Sequence, residues 1–285
     1  MKNKIAIVTG ANSGMGLATT IELAKQDIQV IMACRDQKRG EQSLSIAREQ
    51  SQSNHIEMMI CDLGSLESIR KFVNQFKIQY DRLNILINNA GVVSLKRQLT
   101  ADGFETQMGV NHLGHFLLTN LLLEELKNAE DARVVVISSG AHKWGDIYFQ
   151  DPYFEKSNYH VLKGYGQSKL ANVLFTKAIA ERVIDHSISV NAVHPGAVAT
   201  NLGIDRDTGV GKMITSMLKP FFKTPRQGAG TAISLAVDPQ FKGVTGEYFY
   251  NKEIVPISRK AKDRRLAETL WIWSEREVGI RPLLN

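Results

Sequence analysis

Cysteine is scarce in this 285-residue chain: Cys34 and Cys61 are its only two. Two thiols build no disulfide framework, so stability has to come from a buried core and a reducing compartment is expected. No run of 18 apolar residues occurs, so no transmembrane helix is expected. Met1 to Lys4 lead straight into the apolar run Ile5–Thr9, so a secretory signal is not expected and a cytoplasmic protein is the default. Charge of one sign is also in short supply, with 35 Lys and Arg against 29 Asp and Glu. That modest basic excess favours anionic small ligands such as nucleotides, and it comes without the basic, aromatic-interleaved module that nucleic acid would call for. Linkers rich in Gly, Ser or Pro are missing, as are internal repeats, so residues 1–285 are expected to form one domain. His112, His115, His142 and His194 lack companions at ligand spacing, so no metal site is expected and packing is their default role.

What the chain does contain is a regular alternation. Apolar runs at Ile5–Thr9, Gln29–Cys34, Ile56–Cys61, Ile85–Asn88, Arg133–Ser138, Ser189–His194 and Glu247–Tyr250 read as strands. Helical patterns lie between them, at Met15–Gln26, Gln37–Glu49, Leu66–Tyr80, Gly109–Lys127, Gly164–Ile184 and Pro225–Val237. Alternation of this kind predicts an α/β fold: a single Rossmann-type, doubly wound parallel sheet with helices on both faces. Ligands of such sheets bind at the carboxyl ends of the strands.

The first of those ends is Thr9-Gly10-Ala11-Asn12-Ser13-Gly14-Met15-Gly16, followed by a helix. Glycines let backbone approach a pyrophosphate, and the helix start offers unpaired N–H groups. Gly10, Asn12, Ser13, Gly14, Met15 and Gly16 are therefore cofactor-binding candidates. The second strand ends in Cys34-Arg35-Asp36. NAD enzymes usually place an acid there for the ribose 2′-hydroxyl, whereas a guanidinium suits a 2′-phosphate. Arg35 therefore predicts NADP(H). Asp36 leaves room for NAD if its carboxylate turns inward.

Tyr165 and Lys169 lie four apart on a helical pattern, so they share one face. An ammonium beside a phenol favours the phenolate, which suits the phenol to exchange a proton with a carbonyl or alcohol oxygen. The run from Val134 to Ser139 brings Ser138 and Ser139 toward the same crevice, and a hydroxyl there can hold the reacting oxygen. The next residues, Trp144, Ile147, Tyr148, Phe149, Tyr153 and Phe154, fit either a substrate wall or a satellite hydrophobic cluster. The segment Asn201–Thr224 mixes glycines with Met213, Phe221 and Phe222, and fits either a substrate lid or a helix covering core.

The glycine loop, Asn88-Asn89-Ala90-Gly91, Tyr165 with Lys169, and His194-Pro195-Gly196 together resemble the short-chain dehydrogenase/reductase family. The branch resembled most is retinol-dehydrogenase-like, a group that includes protochlorophyllide-reductase-like and WW-domain-oxidoreductase-like proteins. The marks of that branch are Ala33-Cys34-Arg35, Asp62-Leu63, the run Val110 to Phe116, Ser168-Lys169-Leu170-Ala171-Asn172, and the tail from Leu266 through Trp271 to Trp273. The resemblance implies hydride transfer between NADP(H) and a small carbonyl or alcohol, with members acting on retinoids, steroids, porphyrin precursors and other carbonyls. It implies Ser139 rather than Ser138 as substrate hydroxyl, and Asn111 as holder of a water linked to Lys169. It places Asp62 and Leu63 at the adenine, Asn89, Ala90 and Gly91 along the cofactor, and Pro195, Gly196, Val198 and Thr200 at the nicotinamide. Tyr165 and Lys169 also contact the cofactor in this pattern.

The resemblance further implies a C-terminal helical extension over 258–285 and is compatible with a homo-oligomer paired through the helices of Asn111 and Tyr165. Two other functions remain open from sequence. One is a non-catalytic NADP(H)-sensing regulator. The other is a peripheral membrane protein using Trp271, Trp273 and the basic cluster Arg259–Arg265. Cys34 and Cys61, at neighbouring strand ends, are also candidates for redox sensitivity.

Overall fold

The computed structural model describes residues 3–184, 186–197 and 223–280. Eight strands form one sheet: β1 (Ile5–Thr9), β2 (Gln29–Cys34), β3 (Ile56–Ile60), β4 (Ile85–Asn88), β5 (Ala132–Ile137), β6 (Ile188–His194), β7 (Tyr248–Tyr250) and β8 (Glu253–Ile254). Their spatial order is β3-β2-β1-β4-β5-β6-β7-β8. The first seven pair in parallel and β8 closes the edge antiparallel. Central strands covered on both faces need apolar side chains on both, which is why β1, β4 and β5 are buried throughout and read as unbroken apolar runs. The two-residue β8 carried no such signal.

Helices α1 (Gly14–Ala24), α2 (Gln37–Ser51), α3 (Leu66–Gln79), α4 (Thr106–Met108), α5 (Gly114–Leu121), α6 (Leu123–Lys127), α7 (Val161–Arg182), α8 (Pro225–Val237) and α9 (Arg264–Val278) cover the sheet. One core layer joins Phe72, Phe76, Phe116, Phe175 and Trp271 to one face. The other joins Ile21, Leu23, Leu235 and Phe249 to the opposite face. Local chemistry sets several helix starts. Asp36 accepts from Arg39 N at 2.8 Å to cap α2, Ser65 accepts from Ser68 N at 3.2 Å to cap α3, and Thr224 and Gln227 form a capping box with Pro225 at the first helical position between them.

The helix expected over Gly109–Lys127 is broken. α4 runs into a π-helical turn, Gly109–Leu113, then α5, and Leu122 separates α5 from α6. Close packing acts at both glycines. A Cβ on Gly109 would lie 2.6 Å from Thr100 Cγ2, and one on Gly114 would lie 2.5 Å from the Leu63 carbonyl oxygen. Apolar periodicity does not report such approaches. Because β2 and β3 lie to one side of β1 and β4 to β7 to the other, the chain reverses its winding between β1 and β4. The crevice opens there, beyond the strands' carboxyl ends.

Candidate active site

The glycine loop leaves β1 with Gly10 in the left-handed region (φ +62°), its Cα hydrogens facing Ala90: a Cβ would sit 3.0 Å from Ala90 Cα. Gly16 is tighter still, since a Cβ there would lie 2.3 Å from the Gly10 carbonyl oxygen. The loop therefore folds flat against the end of β4, and α1 begins behind it. Ser13 caps α1 without a side-chain hydrogen bond, and no acidic residue stands in the first turn. The first N–H groups are thus left for an anion.

Beside the loop lies a cleft of about 310 Å³ lined by Gly10, Asn12, Ser13, Gly14, Met15, Gly16, Arg35, Asp62, Leu63, Asn89, Ala90, Gly91, Ser139, Tyr165, Lys169, Pro195 and Gly196. These residues come from widely separated parts of the chain, and all were marked in the sequence. Arg39, whose sequence reading favoured a solvated helix start over added charge for the cofactor, also lines the cleft, and Val92 joins them unmarked. Val198, Thr200 and residues 201–222 of the expected lid lie outside the described residues, as do residues 281–285 of the C-terminal extension. Asp36 also borders the cleft, but its carboxylate is engaged as the cap of α2.

Residues overlooked in the sequence hold the two halves of the crevice together. Thr9 Oγ1 accepts from Asn89 N and Ala90 N, each at 2.9 Å, and Asn89 Nδ2 donates to the Thr9 carbonyl at 2.7 Å. His115 Nε2 stands 2.8 Å from Thr9 Oγ1, and its Nδ1 is 3.1 Å from the Asn111 carbonyl. Burial pulls the His115 pKa down to about 4, so the ring is neutral. With Nδ1–H donating to Asn111, Nε2 accepts from the Thr9 hydroxyl. The only sequence hint was a threonine at the last position before the glycine loop.

At the other end of the cleft, α7 presents Tyr165 and Lys169 together, with the ammonium 5.6 Å from the phenol ring centre. Lys169 Nζ donates to the Ile137 carbonyl at 3.1 Å, and burial lowers its pKa to about 8. The two serines use their hydroxyls differently. Ser138 Oγ is buried and donates to the Lys169 carbonyl at 2.8 Å, so it is unavailable to a ligand. Ser139 lines the cleft, and its Oγ accepts from Ala141 N at 3.2 Å, which leaves its hydroxyl proton to be donated within the cleft.

One electrostatic expectation is corrected. Burial pushes the Tyr165 phenol above its ordinary value, and a hydrogen bond from Ser139 opposes that rise. Lys169 is itself desolvated, and its ammonium donates to the Ile137 carbonyl.

Asn111 sits in the π-helical turn. Its amide accepts from Val92 N at 2.7 Å and donates to the Val92 carbonyl and to Ser168 Oγ, both at 3.0 Å. Three of the four hydrogen bonds open to the side chain are made, which leaves one lone pair on Oδ1. Gly91 lies between the two groups: a Cβ there would be 3.5 Å from Asn111 Oδ1 and 3.7 Å from Lys169 Nζ.

The aromatic stretch after Ser139 is mostly structural. Ile147 and Phe154 are buried, while Phe149 and Tyr153 pack on Trp273. Trp144 alone stands out, 61% exposed and lying against Gly166 beside Tyr165. The membrane reading loses its tryptophans, since Trp271 is buried against Phe116 and Phe175 and Trp273 is held by Phe149 and Tyr153. In the basic cluster, Lys260 pairs with Asp146 and Arg264 with Glu181. Among the described residues no helix is long and apolar enough to cross a membrane, and no cluster of metal ligands occurs. Cys34 and Cys61 are free and buried, and burial pushes both thiols up to about 12, away from a reactive thiolate.

Comparison with known proteins bears on this geometry. Residues 4–210 match the family model described as short chain dehydrogenase. Human retinol dehydrogenase 14 is 43% identical, covering 98% of this chain and 88% of that protein. Human retinol dehydrogenase 13 is 42% identical, covering 97% and 84%. Among solved structures, an uncharacterized protein from Mycobacterium paratuberculosis superposes with a TM-score of 0.79 at 33% identity, covering 99% of this chain and 96% of that one. The fold is also that of an actinorhodin polyketide ketoreductase solved with NADPH, at a TM-score of 0.68 and 24% identity, covering 87% and 97%.

Proposed function

The chain belongs to the short-chain dehydrogenase family, in its retinol-dehydrogenase-like branch, and from that premise we propose an NADP(H)-dependent oxidoreductase acting on a lipophilic carbonyl or alcohol. One observation carries the reading: Tyr165, Lys169 and Ser139 meet at one end of a cleft whose other end is the glycine loop and Arg35. The loop fits a pyrophosphate because Gly10 and Gly16 leave no room for a Cβ and the start of α1 is uncapped by any side chain. Arg35 and Arg39 border the cleft and suit a 2′-phosphate, while Asp36 is taken up by α2.

Bound there, the nicotinamide supplies or accepts the hydride at the substrate carbon. Ser139 donates its hydroxyl proton in a hydrogen bond to the substrate oxygen and holds it beside the phenol. Tyr165 gives a proton to that oxygen when a carbonyl is reduced and takes one from it when an alcohol is oxidised. Lys169 keeps a positive group at the back of the site, where it favours the phenolate that reduction leaves on Tyr165. Trp144 offers an exposed apolar face beside Tyr165, which supports a lipophilic substrate. The names of the relatives suggest all-trans-retinal and retinol as the first probes.

The test is turnover of a panel of aldehydes, ketones and quinones, all-trans-retinal included, with NADPH and with NADH. Tyr165→Phe should lower kcat by about 100- to 10,000-fold, the usual range for general acid–base catalysis, and leave NADPH binding by fluorescence titration largely intact. Near-normal turnover in that variant would remove Tyr165 as proton donor. A wild-type protein that binds NADPH and turns over nothing in the panel would favour the sensing role instead.

A further inference from the structure

Ser139 lies two residues beyond the end of β5 and caps a turn of 3-10 helix, Gly140–Lys143. Both halves of the residue are tied down. Oγ accepts from Ala141 N at 3.2 Å. The carbonyl accepts twice from one residue, from the backbone N–H of His142 at 3.1 Å and from the Nδ1 of its ring at 2.8 Å. A carbonyl oxygen has two lone pairs. Both are occupied, so the peptide plane between Ser139 and Gly140 is held from two directions.

The ring that does this is anchored in turn. His142 is fully buried. With Nδ1 donating, Nε2 of the neutral imidazole is an acceptor, and it faces the backbone N–H of Ser258 at 3.4 Å. The Tyr248 ring on β7 packs against it with centres 4.7 Å apart. Burial holds its pKa below the ordinary histidine value. The charged or titratable groups facing it are Lys143 from its own turn, His194 from the end of β6 and Tyr248 from β7. Two of its neighbours are cations or cation formers, which further disfavours protonation.

We infer that His142 is a positioning residue for the reaction: its Nδ1–H locks the Ser139 carbonyl and thereby aims the Ser139 hydroxyl at the substrate oxygen and Tyr165. The inference rests on the oxidoreductase reading for Ser139. Without the ring, the carbonyl keeps only a backbone bond, and the turn that brings Ala141 N to Oγ is held less firmly. Misplacement of a reacting group by about 1 Å can cost about 100-fold in rate. Ser258 belongs to the segment leading into α9, so the C-terminal part of the chain reaches the serine through this one ring.

Three variants separate positioning from packing. His142→Asn keeps an N–H where Nδ1 stood, His142→Gln keeps a polar atom on the Nε2 side only, and His142→Leu keeps neither. With NADPH and the fastest carbonyl of the panel, all-trans-retinal among the candidates, the Gln and Leu variants should lose about 10- to 100-fold in kcat. Asn should restore most of it, and NADPH affinity should stay the same in all three. In a Ser139→Ala background, His142→Gln should cost little further, because both changes remove the same aim. Equal kcat in the Asn and Gln variants, or a full additional loss in the Ser139→Ala background, overturns the inference.

A second readout needs no turnover. Tyr165 can be titrated by NMR of Cζ-labelled tyrosine, its signal assigned through Tyr165→Phe. The Ser139 hydrogen bond lowers this phenol, so His142→Gln should raise its midpoint as Ser139→Ala does. If the wild type reduces nothing in the panel, the functional reading fails while the midpoint still decides the role of His142. An unmoved midpoint then rejects it.

Discussion

At the buried end of the cleft, Lys169 is held where a charge is poorly solvated, and this gives the protein a measurable pH signature. The group loses its proton at about 8 when folded and near the ordinary 10.5 when unfolded. Between those values the unfolded chain holds more protons, so stability rises with pH across that window. Below it, Lys169 is charged in both states and the full burial penalty stands. Lys169→Met should therefore be inactive yet more resistant to urea at neutral pH, by on the order of 3 kcal/mol at about 1.36 kcal/mol per pKa unit. The gap should close as the pH is raised toward 10.5. An equal gap at neutral and at high pH would mean that Lys169 is not the group responsible. Arg35 offers a second check at this scale. Hydrogen bonds to charged groups are worth about 1.5–3 kcal/mol, so Arg35→Asp should lower kcat/KM with NADPH by roughly 10- to 150-fold and improve NADH. An unchanged ratio between the two cofactors would clear Arg35 of reading the 2′-phosphate.

Among the elements, the β1–loop–α1 unit is the most constrained. Gly16 lies against the Gly10 carbonyl so closely that even one methyl group has to move backbone. Gly16→Ala is expected to abolish measurable NADPH binding by fluorescence while the protein still folds, at an overpacking cost of about 1–3 kcal/mol. Normal affinity in that variant would show that the loop relaxes freely. This unit was readable in the chain because a strand, a glycine loop and a helix start are all local patterns. The same is true of the start of α2 at Gln37, which the helical pattern marked. The helix around Asn111 was not readable in this way. Its π-helical turn reflects contacts with Thr100, Leu63 and Val92, residues that periodicity within the helix does not see.

In the whole molecule, α9 lies along α7 and α5, and is part of the core rather than an appendage. Trp271 packs against Phe116 and Phe175, Arg182 lies 4.1 Å over its ring, and its Nε1 donates to Glu275 at 2.7 Å. Arg70 on α3 donates to the Val278 carbonyl at 2.8 Å and ties down the far end. Trp271→Ala should cost about 3–5 kcal/mol, seen as a lower urea midpoint at similar slope. The catalytic constants of the folded fraction should change little, because Trp271 is not among the residues lining the cleft. The layout of strands and helices around this core was legible in the chain, since burial on both faces of a parallel sheet leaves continuous apolar runs. The destination of the last helix was not, because an amphipathic face does not name the surface it meets.

Taken by itself, the order of residues along the chain determined the doubly wound sheet, the glycine loop, the pairing of Tyr165 with Lys169 on one helix face, and the family. Each depends on neighbours within a few turns or on a short motif. Only the tertiary structure decided that Ser138 spends its hydroxyl on the Lys169 carbonyl while Ser139 does not, that Asp36 is spent as a cap, and that Trp271 is core. It also decided that His142 grips the carbonyl of Ser139 from within its own turn while Ser258 and Tyr248 hold the ring from more than a hundred residues away. The reason is physical: which way a hydroxyl, carboxylate or ring turns depends on the partner that satisfies it, and distant folding brings that partner.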